Sequence, residues 1–393
     1  MSERAYREWQ QVPVEVAGET YLVATKPGVP AYGRTDPAAV LLGQHVRVER
    51  GDVIVFMNSG SGLEPLVAAR RSLTSRIVST NRNIVSIEAA RRTLAAVSGQ
   101  TVEIIPGNGA SDIDEASANT VAIRIPHEKP ALIQLLSDAL RILKIGGTCY
   151  IAGATREGIK TAAKILERAF GNSTLLAYES GYRIVSATKT SNSAADETVF
   201  DSPFLPRDAF REIDATLRGQ SLKIFSRPGV FSWDHLDEAT QILADHVEIP
   251  AGASVLDLGC GSGPLGIVAS RLSGGAPVTM IDADVEAVRS AVKSAEAAGI
   301  WNYRAMSSDV ASAVIGEQFD VVVTNPPFHV GKETELSVPM QFIDDSWEVL
   351  SPGGRLFLVA NRTLPYETPI KSRFGNVSNV HDGRRFKVLS AKK

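Results

Sequence analysis

The most constraining feature of this 393-residue chain is that one order of short strands and helices occurs twice. In the second half, helical stretches separate β-rich runs at 254–258, 278–282, 319–325 and 355–361. In the first half, the same order recurs with runs at 52–56, 76–80, 120–126 and 148–153. Alternating strands and helices predict a parallel, doubly wound sheet. A repeat of roughly 200 residues is far longer than a solenoid unit, so the sequence predicts two tandem α/β domains.

The polar stretch KTSNSAADETVFDSP (189–203) lies between the two halves and carries little apolar pattern. Stretches of this composition are typical of linkers. We therefore expect domains at 1–195 and 196–393, which agrees with the usual size of about 100–200 residues per domain.

The composition and charge exclude several classes of protein. Hydrophobic residues make up 44% of the chain and charged residues 22%, as in ordinary globular proteins, so we expect neither disorder nor a coiled coil. The formal net charge of -3 argues against a protein that coats nucleic acid through bulk charge. The two cysteines lie far apart, in contexts that suggest neither zinc nor a redox pair. Because the chain lacks a membrane-spanning apolar run and a signal-like start, we expect a cytoplasmic protein with no membrane partner.

The glycine-rich stretch DLGCGSGPLG (257–266) follows a predicted strand and opens a predicted helix. Glycines let a ligand approach the backbone, and the helix N-terminus offers N–H groups to it. Together with Asp282, the glycines Gly261, Gly263 and Gly266 also match a dinucleotide-binding fingerprint, which stays open at this point. Asp257, at the end of the strand, suits a cationic ammonium group or caps the next turn.

The second motif, TNPPFHVG (324–331), lies at the end of the predicted strand 319–325 and so faces the same edge of the sheet. Consecutive prolines remove donors and leave the neighbouring carbonyl groups as acceptors. With the side-chain oxygen of Asn325, such a carbonyl can accept both hydrogens of a planar amino group, and Phe328 can stack on the attached ring. The alternative is a proline-rich exit that ends the strand. His329 is either a proton acceptor or a surface histidine.

Two further acids follow strands of the second half. Asp282 can accept hydrogen bonds from both hydroxyls of a ribose, or it can cap the following helix. Asp309, in SSDV (307–310), can accept a hydrogen bond from an adenine amino group, or it can form an ordinary Asx turn.

These motifs, in this order, resemble class I S-adenosylmethionine-dependent methyltransferases of the amino-methylating branch. The chain is similar to the 16S and 23S rRNA guanine-N2 methyltransferases, in which the first of two tandem domains is degenerate and the second is active. The resemblance covers essentially the whole chain and implies two Rossmann-like class I domains, each with a mostly parallel sheet and an antiparallel last strand. The residues that carry it are LKIFSRPGVFSWDHLDEATQIL (222–243), NPPFH (325–329), VANRTLPY (359–366) and GRRFKV (383–388).

The resemblance also implies a cofactor and a set of site residues. The cofactor would be S-adenosyl-L-methionine, and no metal would be required. Its methionine end would contact Asp257, Gly259, Gly261 and Gly263, its ribose Asp282, and its adenine Asp309. The catalytic set would be Asn325, Pro326, Pro327 and Phe328. Asn325 and Pro326 would hold the guanine amino group, and Phe328 would stack on the base.

The first half departs from this pattern. It carries Asn58 and Asn81 where the second half has Asp257 and Asp282, and RIPH (124–127) replaces the NPPF motif. We expect the first domain to bind no cofactor and to serve RNA docking or structural support. Arginines are dense from 70 to 92 and basic residues from 371 to 393, and these clusters either contact phosphates or form solvated surface.

The sequence therefore predicts a monomeric rRNA guanine-N2 methyltransferase that acts on ribosomal RNA or the small ribosomal subunit, with 16S rRNA favoured over 23S. One alternative is another amino-methyltransferase, acting on adenine N6 in DNA or on a protein glutamine. A second is a catalytically inactive RNA-binding factor of ribosome assembly. A dinucleotide oxidoreductase ranks last, because it leaves the NPPF motif unexplained.

Overall fold

A computed structural model describes residues 6–95, 102–206, 208–327 and 337–393. The chain divides into two compact units, the first spanning Arg7–Ala209 and the second Phe210–Lys393 together with Tyr6. The boundary after Ala209 lies 14 residues beyond the predicted division at 195/196. The segment after 195 stays with the first unit because of apolar packing: Val199 is buried in the core of that unit, and Phe200 packs against the same core.

The first unit begins with a hairpin and continues with alternating strands and helices. Its strands are β1 (Gln10–Val16), β2 (Glu19–Thr25), β3 (Val53–Met57), β4 (Arg76–Asn81), β5 (Val102–Pro106), β6 (Ala118–Arg124), β7 (Leu143–Ala154), β8 (Thr174–Glu179) and β9 (Tyr182–Thr188). Its α-helices are α1 (Pro37–His45), α2 (Leu63–Arg71), α3 (Ile84–Leu94), α4 (Lys129–Ile142) and α5 (Ile159–Phe170). Short 3₁₀ turns occupy Thr155–Glu157 and Glu197–Phe200.

The second unit repeats this order. Its strands are β10 (Arg211–Leu217), β11 (Gln220–Ser226), β12 (Val255–Leu258), β13 (Val278–Asp282), β14 (Tyr303–Ser307), β15 (Phe319–Thr324), β16 (Leu350–Asn361), β17 (Ser378–Asp382) and β18 (Phe386–Lys392). Its α-helices are α6 (Glu238–His246), α7 (Pro264–Leu272), α8 (Val285–Ala297), α9 (Ser337–Val349) and α10 (Glu367–Phe374), and a 3₁₀ turn occupies Ser312–Val314. Over the described ranges, none of the helices combines the length and apolar character needed to cross a bilayer.

Both units contain the same seven-stranded sheet. The strand order is β5-β4-β3-β6-β7-β9-β8 in the first unit and β14-β13-β12-β15-β16-β18-β17 in the second. The first five strands of each order pair in parallel, whereas β9 and β18 pair antiparallel with both of their neighbours. The prediction of two tandem, mostly parallel sheets with an antiparallel last strand is therefore confirmed. The hairpins β1–β2 and β10–β11 are additions that the sequence patterns did not indicate.

The central strands are buried because helices cover both faces of each sheet. In β15, Val321 and Val323 belong to the apolar cluster on one face, and Val322 between them belongs to the cluster on the other. This division follows from the two-residue period of a strand, and continuous apolar runs are typical of parallel strands covered on both faces.

The two units correspond residue by residue around the glycine loops, but not as the sequence comparison placed them. In the pairing with the second strand, Met57 stands opposite Thr80, and Leu258 stands opposite Ile281. Asn58 therefore corresponds to Gly259, not to Asp257, whose counterpart is Phe56. Both Asn58 (φ 58°) and Gly259 (φ 76°) are in the left-handed region, which asparagine tolerates better than most residues. With this register, Asn81 and Arg124 follow Asn58 by 23 and 66 residues, as Asp282 and Asn325 follow Gly259.

We expect Gly62→Ala to destabilise the first unit although this unit is predicted to bind no cofactor. Gly62 has φ +81°, and an added Cβ would lie 2.8 Å from Cα of Ala90. The left-handed backbone and the close approach should together lower the free energy of unfolding by about 3 kcal/mol. The matched control is Gly60→Ala, where the nearest atom is 3.8 Å away and the change should stay below about 1 kcal/mol. Urea titrations followed by circular dichroism measure both; equal effects would contradict the steric explanation.

Candidate active site

The carboxyl ends of four neighbouring parallel strands bring most of the predicted site residues to one edge of the second sheet. Along the order β14, β13, β12 and β15, this edge presents Asp309, Asp282, the glycine loop from Gly259 to Gly263, and Asn325. Three strand spacings of about 4.8 Å give the row a length of about 14 Å. Phe328 and His329 lie outside the described residues.

The three loop glycines have different physical roles. A Cβ on Gly259 (φ +76°) would lie 3.0 Å from the ring of Phe342, and one on Gly263 (φ +87°) would lie 3.1 Å from Ala291. Gly261 also has positive φ, but a Cβ there would meet no described atom within 4 Å. Gly259 and Gly263 are thus required by packing, whereas Gly261 borders open space that a ligand can enter.

Asp257 is a buried carboxyl group with one oxygen that has no hydrogen-bond partner in the structure. Oδ2 accepts a hydrogen bond of 2.8 Å from the N–H of Gly266, and Oδ1 is the unpartnered atom. Burial raises the pKa of Asp257 to about 7, and the nearby charge of Asp282 adds to this, against the opposing bond from Gly266. A carboxyl group in this setting gains most from a cationic ligand, so its chemistry fits an ammonium group.

Asp282 uses both carboxylate oxygens to hold the loops around it. Oδ2 accepts from the N–H of Gly261 at 2.9 Å, and Oδ1 accepts from the N–H of Asp284 at 3.0 Å. Asp284, not Asp282, is the N-cap of α8 and accepts from Glu286. A carboxylate has two lone pairs on each oxygen, and this acceptor chemistry suits the two hydroxyls of a ribose.

Asp309 contacts a residue from the start of the chain. The hydroxyl of Tyr6 donates a hydrogen bond of 2.7 Å to Oδ1 of Asp309, and the Tyr6 side chain is 6% exposed. Val310, which follows, has φ +50°, a strained conformation for a β-branched residue. The N–H of Ala311 donates to buried Asp345 at 3.0 Å. The Asp309 loop is therefore held in one conformation from two sides.

The amide group of Asn325 is fixed in orientation by residues at the start of α6. Its Nδ2 donates to Oδ2 of Asp237 at 3.0 Å and to Oγ1 of Thr240 at 2.8 Å. Because a carboxylate can only accept, the NH₂ end of the amide must face Asp237. The other end, Oδ1, is buried, and none of the described residues donates a hydrogen bond to it. Asn325 therefore turns an acceptor, not a donor, away from α6.

Asn325 and the glycine loop line one pocket that is open to solvent. Apolar side chains form much of its wall, and Pro326 is buried next to it whereas Pro327 is exposed. The lining includes Ile224, Phe231, Asp237, Cys260, Leu265 and Asn325. The pocket therefore places Asn325 beside the glycine loop.

Sequence reasoning missed Asp237, Thr240 and Tyr6. Asp237 is the N-cap of α6 and accepts from the N–H of Thr240 at 2.8 Å. An Asp before a helical pattern is a signal that could have found the cap, but not the second contact of Asp237 with Asn325. No local pattern indicates that Tyr6 contacts a residue 303 positions away.

In the first unit, side chains of the protein itself occupy the corresponding place. Arg124, the counterpart of Asn325, forms two hydrogen bonds with Glu157 (2.7 and 2.9 Å) and one with Asp36 (3.2 Å). Asn81 donates to the carbonyl of Ser59 at 2.6 Å, within the glycine loop. Burial opposes ionisation of Glu157, but the bonds from Arg124 outweigh it and lower the pKa of that carboxyl group.

The two basic clusters are partly neutralised by ion pairs within each unit. Arg92 pairs with Glu88 at 2.8 Å in the first cluster, and Lys387 pairs with Glu367 at 2.6 Å in the second. Phosphate binding by these clusters stays a prediction. Among the residues that the structure describes, no group of three or more His, Cys, Asp or Glu side chains is arranged to hold a metal ion.

Comparison with known proteins gives consistent results. The family model for the methyltransferase small domain matches residues 20–186 and again residues 221–390. The ribosomal RNA small subunit methyltransferase C of Hahella chejuensis is 32% identical over 277 residues, which cover 70% of this chain and 78% of that protein. The Escherichia coli protein of the same name is 30% identical over 281 residues, covering 71% and 76%.

A solved structure matches over the full length of both chains. It is the T. thermophilus 16S rRNA N2 methyltransferase RsmC in complex with AdoMet and guanosine, with a TM-score of 0.82 and 28% sequence identity. The chain therefore belongs to the methyltransferase small-domain family and, within it, to the family of ribosomal RNA small subunit methyltransferases C.

Proposed function

We propose that this protein transfers a methyl group from S-adenosyl-L-methionine to the exocyclic N2 amine of a guanine in 16S rRNA. The observation that carries the proposal is the fixed amide of Asn325, whose buried oxygen lines the same pocket as the glycine loop. The T. thermophilus relative, which binds AdoMet and guanosine and acts on N2 in 16S rRNA, supports it.

The residues along the sheet edge fit the parts of the cofactor. Asp257 would face the ammonium group of its methionine end, with the backbone of Gly259, Gly261 and Gly263 beside it. Asp282 would accept from the ribose hydroxyls, and Asp309 would accept from the adenine amino group. The cofactor, when bound, supplies a methyl group on a positively charged sulfur, which leaves as a neutral thioether.

The part played by the protein in the reaction is mainly positioning. Oδ1 of Asn325 and the backbone carbonyl of Pro326 would accept the two N–H groups of the guanine N2 amine. This withdraws the nitrogen lone pair from the ring and aims it at the methyl carbon. As the new N–C bond forms, the S–C bond breaks and one amine proton passes to solvent. Pro327 and Phe328 complete the clamp in this proposal.

The first unit, by contrast, would bind no cofactor and would support or dock RNA. The bidentate pairing of Arg124 with Glu157 fills the place of the clamp, which supports this division of roles. We further propose that one chain is sufficient for activity, so that the protein works as a monomer, and that it acts in the cytoplasm, where ribosomal RNA is assembled.

We expect Asn325→Ala to abolish most methyl transfer while leaving cofactor affinity intact. Loss of the acceptor should lower kcat/KM by roughly 100-fold or more. Asp237→Asn should lower it by roughly tenfold, because the amide can then adopt either orientation. The matched control is Asn302→Ala. Asn302 is exposed and lies just before β14, at the amino end of that strand and away from the site, so its replacement should leave kcat/KM unchanged.

The measurement is transfer of labelled methyl to small-subunit RNA that lacks the modification, with nucleoside analysis of the product. Label in N2-methylguanosine is the expected result. Label in another nucleoside or in protein would show that the substrate is not a guanine N2 amine. Binding of the cofactor without transfer to any RNA would favour the assembly-factor alternative.

The affinity of the wild-type protein for S-adenosylhomocysteine, the form of the cofactor left after methyl transfer, should rise with pH. In Asp257→Asn, this affinity should no longer depend on pH. The pKa of Asp257 is about 7 in the unbound protein, so the carboxyl group is mostly neutral at pH 5.5 and half ionised at pH 7. Its ammonium partner favours the ionised form, and affinity should therefore rise about tenfold over this interval. Calorimetric titration gives both the affinity and the stoichiometry, expected to be one site per chain. A pH-independent affinity would remove Asp257 from the ammonium contact, and two sites per chain would contradict an inactive first unit.

Tyr6→Phe should weaken recognition of the adenine amino group. The hydroxyl of Tyr6 orients the carboxylate of Asp309, and phenylalanine keeps the packing of the ring but not the hydrogen bond. The preference for S-adenosylhomocysteine over S-inosylhomocysteine, which lacks that amino group, should fall by about fivefold. Tyr303→Phe, on β14 itself, is the control. An unchanged preference in Tyr6→Phe would show that the hydroxyl serves stability alone.

A further inference from the structure

Phe231 is an unusual side chain in the second unit because it lines the pocket and is nevertheless 64% exposed. It shares the pocket wall with Asn325, whose buried oxygen accepts no hydrogen bond within the part of the chain that the structure describes. Large apolar side chains exposed singly are common on protein surfaces. At the mouth of a pocket that presents a hydrogen-bond acceptor, however, an aromatic ring offers a flat apolar face to whatever enters.

The exposure of Phe231 does not come from a poorly anchored loop. Val230 beside it is fully buried, and its N–H donates to the carbonyl of Arg227 at 3.1 Å. The side chain of Arg227 forms an ion pair of 2.8 Å with Glu286 on α8, and both side chains are 4% exposed. Ser232, on the other side, has φ +49°. The backbone on both sides of the ring is therefore fixed, and it holds Phe231 outward.

The first unit contains the same loop and serves as an internal comparison. Val29 corresponds to Val230: it is 4% exposed, and its N–H donates to the carbonyl of Lys26 at 3.1 Å. Ala31, with φ +61°, corresponds to Ser232. The residue between them is Pro30, exposed like Phe231 but without an aromatic ring. The scaffold is thus common to both units, whereas the ring occurs in the unit that has the Asn325 clamp.

We propose that Phe231 stacks on the guanine base whose N2 amine is held by Asn325. This inference rests on the proposed function and adds a second aromatic side chain for a face of the base, besides the stacking expected of Phe328. To reach the edge of the sheet, a base must leave its neighbours in the RNA and lose their stacking. An aromatic side chain at the pocket mouth replaces part of that stacking, and it contributes without regard to base identity because every base has an apolar face.

Stacking and amine recognition predict different effects on two ligands. Guanosine and inosine present the same stacking face and differ in the 2-amino group. Phe231→Ala should weaken binding of both by about tenfold and leave their ratio unchanged. Asn325→Ala should instead reduce the preference for guanosine over inosine. The first change acts through the face of the base and the second through its edge.

The experiment measures guanosine and inosine affinities of the full-length chain saturated with S-adenosylhomocysteine. Phe231→Trp should retain or improve the affinity for both nucleosides, and Pro30→Ala, at the matched position of the first unit, should change neither. Affinity for S-adenosylhomocysteine should remain within twofold in every variant, which confirms that each is folded. With small-subunit RNA as substrate, Phe231→Ala should raise KM more than it lowers kcat.

Two outcomes separate the inference from the function on which it rests. If the wild-type chain prefers guanosine but Phe231→Ala binds it equally well, the stacking role is wrong and the proposed function stands. If the wild-type chain does not distinguish guanosine from inosine, the guanine-amine proposal itself fails. A loss of S-adenosylhomocysteine binding in both Phe231→Ala and Phe231→Trp would assign the ring to the cofactor and would also overturn the inference.

Discussion

The parallel pairing of β12 with β13 and β15 is the constraint on which the rest of the second unit depends. It sets Leu258 beside Ile281 and Thr324, so that the three chains leave the sheet at one level. The Thr324 hydroxyl donates to the carbonyl of Leu258 at 2.7 Å and fixes this level between β12 and β15. The residues that follow these strands are thereby brought to one level at the edge of the sheet, where the N–H of Gly261 donates to Asp282 at 2.9 Å. A one-residue slip would reverse the direction of every side chain along the slipped strand and break up the site.

The same constraint operates in the first unit with a different chemical result. Its strands β3, β4 and β6 pair in the same register, and its glycine loop keeps the left-handed residue before helix α2. Fold and site are therefore separable in this chain. Burial and register preserve the scaffold, whereas a few side chains at the strand ends decide whether the edge is open to a ligand.

The sequence was sufficient for the features that periodicity and strand ends determine. The alternation of strands and helices, the duplication and the position of Asn325 after β15 follow from patterns that one can read locally. The pairing of Asn58 with Asp257 is wrong because it rests on the similar polarity of the two side chains. The register of the central strands is instead set by the burial of their apolar residues. The contacts of Tyr6 with Asp309 and of Asp237 with Asn325 depend on packing across 303 and 88 positions, and no local pattern encodes them.

The N-cap acids Asp36 and Asp237 explain why the first unit, which lacks the asparagine of the clamp, also has its place filled by a side chain of the protein. Each caps its helix by accepting a hydrogen bond from one backbone N–H. Each also accepts a hydrogen bond from a side chain at the end of β6 or β15, from Arg124 to Asp36 and from Asn325 to Asp237. A partly buried carboxylate left without that donor would be costly, so the residue in the position of Asn325 must bring an N–H group. Asparagine supplies one, and its oxygen keeps an acceptor that no described residue uses. Arginine, in the first unit, supplies donors in several directions, engages Glu157 as well, and leaves no acceptor for an incoming amine.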